Sequence, residues 1–282
     1  MEKMEPKRTD KSVTKLPHFE LSDVQQIEPE RLLNSENDEV GAFFLSLSLA
    51  YNDLKGVLWT SQVMIDAQGG PDAPFQKTAR RGQTGGMSVQ AMRYSAGIAH
   101  EILKLVREHR VLVDGSDFES LDLTPAGLTR WQELKDLAYA RESDNGLVRA
   151  LAAIRNSIAF HYYSPKNVAK SFSEHFRQPD EGNALLSVGK NTEQTRFYYA
   201  DAAAQYALRR CAIAGGVDPD TFQLQLRSVL WTILEATMAA LSGFVASRGG
   251  IFPRDVLPVP TVQRGPSHET RARKRAARKR KK

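Results

Sequence analysis

From Val40 to Ile65 apolar side chains recur at threes and fours, and Phe44, Leu47, Tyr51, Leu54 and Leu58, with Trp59 beside them, predict a long core helix starting near Asp38. A second long helix is predicted over 87–113, with Met92, Ala96, Ala99, Leu103 and Val106 as its inward row and Asp114-Gly115 as its stop. Thr124-Pro125 supplies an N-cap followed by proline at the first helical position, opening a helix to about Arg141 through Leu128, Trp131, Leu134 and Leu137. After a break at Asp144-Asn145-Gly146, the apolar positions Leu151, Ile154, Ile158 and Phe160 predict a helix over 147–162, and Ser164-Pro165 begins a short one to about 176. Helix is predicted again over 198–214, ending at Gly215-Gly216. The last one opens at Asp218-Pro219 and carries Phe222, Leu226, Val229, Ile233, Leu241 and Phe244 along one side to Ser247.

The intervening stretches carry turn chemistry. Residues 67–86 hold five glycines and two prolines beside Lys77, Arg80 and Arg81, which predicts an irregular connection. Residues 179–196 predict a small hairpin. No internal repeat is present. The expected architecture is all-α: a flexible polar arm over 1–36 with room for one helical turn, a single helical bundle domain over 37–248, and a Pro/Gly linker running into a disordered basic tail over 249–282.

Composition narrows the setting. The single cysteine, Cys211, cannot close an intramolecular bridge, and no histidines cluster at zinc-ligand spacing, so no metal or other cofactor is expected. The charged N-terminus lacks an apolar signal core, and no uninterrupted apolar stretch reaches membrane-spanning length, so a cytoplasmic location is expected. The net charge of +6 is unevenly spread: nine of the 39 Lys and Arg lie in residues 271–282, leaving 30 bases against 33 acids in the rest. The tail, with Arg271, Arg273, Lys274, Arg275, Arg278, Lys279 and Arg280, is suited to a polyanion such as nucleic acid.

Several patterns fail on their chemistry. His100-Glu101 lacks a histidine four residues after His100, where Lys104 stands, so it reads as a surface pair and not as a metalloprotease helix. Gly182 to Gly189-Lys190 has the wrong spacing for a phosphate loop, and Asn191 stands where a Mg²⁺-binding hydroxyl is needed. Gly82, Gly85 and Gly86 follow no strand and mark a loop. Phe197, Tyr198 and Tyr199 enter a helix at packing spacing, which favours core contacts over base stacking.

One segment carries candidate chemistry: Arg155-Asn156-Ser157-Ile158-Ala159-Phe160-His161 combines a fixed cation, an amide and an imidazole at the end of an apolar helix. RNA is cleaved without metal when its 2′-hydroxyl attacks the adjacent phosphorus, which needs a proton acceptor and a cation for the phosphorane charge. Histidine, titrating near pH 6.5, supplies the first, and arginine, always charged and planar, the second. On an ideal helix, however, positions 155 and 161 stand about 120° apart in rotation and about 9 Å apart in rise. Convergence therefore requires the helix to loosen before Ser164-Pro165, or a second subunit to complete the site.

The spacing, Arg followed by a polar residue and then His after five intervening positions, resembles the signature of the HEPN superfamily of helical ribonucleases, and the wording RN…AFHY is similar to that of HEPN-like prokaryotic defence proteins. The resemblance covers about ten residues plus the helical layout. It implies an endoribonuclease with Arg155, Asn156 and His161 as its site, RNA as substrate, and a cleft built at a homodimer interface. A role in toxin–antitoxin or antiviral defence, with an antitoxin or other protein partner, is also implied. The residues alone leave open a non-catalytic helical interaction module that binds a protein or nucleic acid, with the basic tail as an electrostatic tether.

Overall fold

Four helices begin where the sequence provides a side-chain cap. A computed structural model of the chain describes residues 27–67, 78–159, 165–179, 183–188 and 195–250. A short turn of helix, α1 (Pro29–Leu32), precedes α2 (Glu39–Ala67), whose start is tied down by Asp38: its carboxylate accepts from Gly41 N at 2.8 Å and from Asn34 N at 3.2 Å. α3 (Thr78–Glu108) follows, then the single turns α4 (Arg110–Val113) and α5 (Ser116–Glu119). Thr124 caps α6 (Pro125–Tyr139) through Gly127 N, and Asn145 caps α7 (Gly146–Ile154) through Leu147 N and Val148 N. α7 runs into a five-residue π segment, Arg155–Ala159, and α8 (Pro165–Phe176) comes next. α9 (Tyr198–Gly215) ends at Gly216, whose φ of 77° is the left-handed conformation that glycine adopts at no steric cost. Asp218 then caps α10 (Pro219–Ser247).

The fold is an all-α bundle, with no strand among the described residues. Its hub is α3, which touches α2, α6, α7, α9, α10 and the π segment. The principal pairs around it are α2 with α3, α6 with α10, α7 with α9, and α8 with α9. The core joins Phe43, Phe44 and Leu47 of α2 to Ile102 and Val106 of α3, Leu134 of α6, Leu151 and Ile154 of α7, and Leu226, Ile233 and Phe244 of α10. Aromatic stacking reinforces it: ring centroids are 4.2 Å apart for Phe44 and Phe244, and 4.5 Å for Phe118 and Trp131. α10 is long and apolar enough to span a membrane by length and composition alone, and its inward row is buried in this core.

Where α7 crosses α9 the backbones nearly touch. A Cβ added at Gly146 would stand 2.5 Å from the Gly215 carbonyl oxygen. One added at Gly215 would stand 2.5 Å from the Gly146 carbonyl oxygen and 2.9 Å from Ala150 Cβ. Glycine is required at both positions by this approach, which seats α7 deep in the bundle.

The predicted connection over 67–86 is partly helix instead. Residues 68–77, with Lys77, lie outside the described residues, but α3 already begins at Thr78 and includes Gly82, Gly85 and Gly86. Helix propensity disfavours three glycines by roughly 1 kcal/mol each, yet all three are helical, and at Gly86 a Cβ would meet the Arg196–Asp201 pair and require it to shift. The predicted hairpin reduces to one isolated antiparallel bridge, Ser187 with Arg196, and residues 180–182 and 189–194 of that stretch lie outside the described residues. Tyr198 donates its hydroxyl to Ser187 Oγ, and Tyr199 lies edge-on to Phe172, so both pack as expected, whereas Phe197 is exposed.

Candidate functional site

The helix predicted over 147–162 is regular only to Ile154. From Arg155 to Ala159 it widens into the π segment, so the loosening that would change the relation of residues 155 and 161 begins at the arginine itself. Single π turns inserted in α-helices recur at functional sites. α3 holds this one at two points, two turns apart. Arg93 Nε donates to the Ile158 carbonyl oxygen at 2.9 Å, and Glu101 Oε1 accepts from Arg155 Nε at 2.6 Å. Ile158 and Ala159 are buried beneath, while Asn156 is exposed.

Arg155 stands at the centre of a small polar cluster. Its side chain is 33% exposed, and its Nη1 donates to Asn156 Oδ1 at 3.2 Å. Beyond Glu101 lies His100, only 12% exposed, with Nδ1 3.7 Å from Glu101 Oε1. That separation is too long for a hydrogen bond, and Nδ1 is buried with no hydrogen-bond partner. Burial pushes the His100 imidazole below its ordinary value, with Glu101 opposing and Arg155 reinforcing the shift, so the ring is neutral at pH 7. Burial would raise the Glu101 carboxyl, but the hydrogen bond and charge of Arg155, with His100 and Lys104, outweigh it and hold the group below the usual carboxylate value.

The two residues read as a surface pair are therefore different in kind. His100 is mostly enclosed, and Glu101 is the acid that holds Arg155. Nothing local in the sequence signals this, because the contact spans 54 positions. Of the candidate residues, Arg155 and Asn156 lie side by side; His161 lies outside the described residues, as do the seven tail cations from Arg271 to Arg280.

A second polar cluster sits at the other side of α3's C-terminal end. Asp114 accepts from Lys135 Nζ at 3.1 Å, Arg110 Nε at 3.3 Å and Tyr139 Oη at 3.2 Å. Burial would raise its carboxyl, but the hydrogen bonds from Lys135 and Arg110 hold it low; burial and the Asp114 charge push Tyr139 up to about 12. Asp114 and Lys135 border an open cleft of about 330 Å³ floored by Phe118, Leu121 and Trp131, which shares no residue with the Arg155 cluster. Cys211 is buried, which pushes its thiol up to about 11 and makes it a poor nucleophile at neutral pH.

The structure defines an all-α bundle with a polar cluster on a π turn. Compared with family models, with curated proteins and with solved structures, the chain matches none.

Proposed function

We propose that the chain is a HEPN-type endoribonuclease whose centre is Arg155, Asn156 and His161. The observation that supports this most is the setting of Arg155: a partly exposed guanidinium on a π turn, hydrogen-bonded to Asn156, at the start of the Arg-Asn-x4-His motif. In the reaction, the 2′-oxygen of one nucleotide bonds to the neighbouring phosphorus while its proton passes to the His161 imidazole. The P–O5′ bond then breaks as the departing 5′-oxygen takes the proton back from the imidazolium, leaving a 2′,3′-cyclic phosphate on one product, a 5′-hydroxyl on the other and a neutral His161. Arg155 neutralises the equatorial oxygens of the phosphorane, where negative charge grows, and Asn156 supports that contact. Two copies of the chain form the cleft, and the basic tail raises the encounter rate with RNA through salt-sensitive phosphate attraction.

The test is degradation of labelled RNA with EDTA present, read for cyclic-phosphate ends. His161→Ala cutting as fast as wild type overturns the assignment. Deleting residues 265–282 should flatten the salt dependence of RNA binding, and unchanged binding removes the tail from the proposal.

The 2.6 Å pairing of Arg155 with Glu101 favours a second reading, in which the arginine is a structural tie within a non-catalytic interaction module. Under that reading RNA stays intact and Arg155→Ala lowers stability without changing RNA binding.

A further inference from the structure

We infer that Glu101 is the positioning residue for Arg155, fixing the plane of its guanidinium so that the phosphate meets an oriented fork; this rests on the nuclease reading of the same site. Arginine carries about 2 kcal/mol of rotamer entropy, and a fork that is oriented before substrate arrives loses little of it on binding. Glu101 is placed to provide that order. It stands on the hub helix between His100 and the fully buried Ile102, so its backbone is rigid, and it accepts from Nε, while Asn156 accepts from Nη1. The two acceptors engage different nitrogens of one planar group and so fix its rotation.

The same π turn is clamped from the same helix by Arg93 on the Ile158 carbonyl, so the chain segment bearing Arg155 and the side chain itself are both referred to α3. The carboxylate is enclosed on its inner side by His100, whose buried Nδ1 stops 3.7 Å short and leaves Arg155 as its hydrogen-bonding partner among the described residues. A negative charge beside a phosphate site opposes ground-state binding of RNA. Its presence is explained if orientation in the transition state outweighs that repulsion.

This reasoning gives Glu101 a signature that a merely structural acid lacks. In the full-length chain, Glu101→Ala should bind an uncleavable 2′-deoxy oligonucleotide at least as tightly as wild type, yet cut RNA about 10- to 100-fold more slowly. Glu101→Gln keeps an oxygen that accepts from Nε and should recover part of the rate at unchanged melting temperature. In ¹⁵N spectra the Arg155 Nε–H signal should be dispersed in wild type and Glu101→Gln and collapse into the averaged arginine envelope in Glu101→Ala.

Cutting by Glu101→Ala at or above the wild-type rate overturns the inference, because the carboxylate would then compete with phosphate instead of orienting its ligand. So do rates that track melting temperature across the variants. If wild type leaves RNA intact, the nuclease reading fails by itself. The ordering of Arg155 by Glu101 is then decided by the resonance alone, and a signal still dispersed in Glu101→Ala sinks it.

Discussion

Asp114 and Glu101 are both partly buried carboxylates near α3 and both have a pKa held below the ordinary value, but they reach that state differently. Asp114 accepts from three donors of three residues, Lys135, Arg110 and Tyr139. Glu101 accepts from Arg155 at 2.6 Å and has beside it an imidazole nitrogen that is buried and unpaired. The first cluster shares one carboxylate among three donors on a regular helical frame, beside an open cleft whose floor includes Trp131, with its own buried and unmatched Nε1. The second also has an unmatched polar atom, and differs in being built on a widened turn and in holding its acid to one partly exposed cation. Buried polar groups normally find partners, so unmatched ones and irregular helix mark where a structure departs from the lowest-energy arrangement.

The largest expected effect separates the clusters by activity. Arg155→Ala should lower RNA cutting about 10²- to 10³-fold, the range seen when one transition-state donor is removed, whereas Lys135→Ala should change it by less than about twofold under the same assay. Equal losses would erase the distinction. Asp114→Ala comes next: it strips three donors of their acceptor and should cost about 1–2 kcal/mol after allowance for solvent screening, read as a lower urea midpoint with cutting intact. Arg93→Ala, which releases the Ile158 carbonyl, should cost about 1 kcal/mol and loosen the π turn, seen as faster amide exchange over 155–159 than over α6.

The smallest effect is in the pH dependence, and it sharpens the contrast by its window. His100 has a folded pKa below its ordinary 6.5, so the unfolded chain binds that proton more readily; its contribution is present above pH 6.5 and is lost as pH falls through the lowered value. Glu101 and Asp114 contribute above about 4.5 and 3.8 respectively and lose that contribution as pH falls through their depressed values. The Arg155 cluster should therefore begin to weaken below pH 6.5, ahead of the Asp114 cluster. His100→Gln should remove the first decline in a urea-midpoint profile and leave the second.

The parts of this molecule that depend on neighbours in the chain were legible in the sequence. Thr124-Pro125 and Asp218-Pro219 start helices where predicted, Gly215-Gly216 ends one, and Ser164-Pro165 marks the start of α8, because capping and proline geometry act over a few residues. Inward rows such as Ala96, Ala99, Leu103 and Val106 are buried for the same reason. What escaped is set by distant contacts. Gly86 lies in a helix under the Arg196–Asp201 pair, His100 is enclosed by packing around α3, and Glu101 meets an arginine 54 positions away. Leu128, one of the apolar positions along α6, is exposed, while its neighbour Gly127 occupies the contact with Ala239. Periodicity fixes a face to within one position, and close packing decides which of two neighbours occupies it.

The bare-backbone crossing of Gly146 on Gly215 acts on the motif from a distance. α7 is a stiff rod of nine residues, and its far end, about 14 Å from Gly146, carries Arg155. A methyl group at either glycine cannot be seated without moving that rod, and a tilt of it is carried along the helix towards Arg155 and its contact with Glu101. Sequence drift at a spot with no functional group of its own would thus misalign the chemistry as surely as damage at the motif, which makes this crossing the fulcrum of the proposed machine.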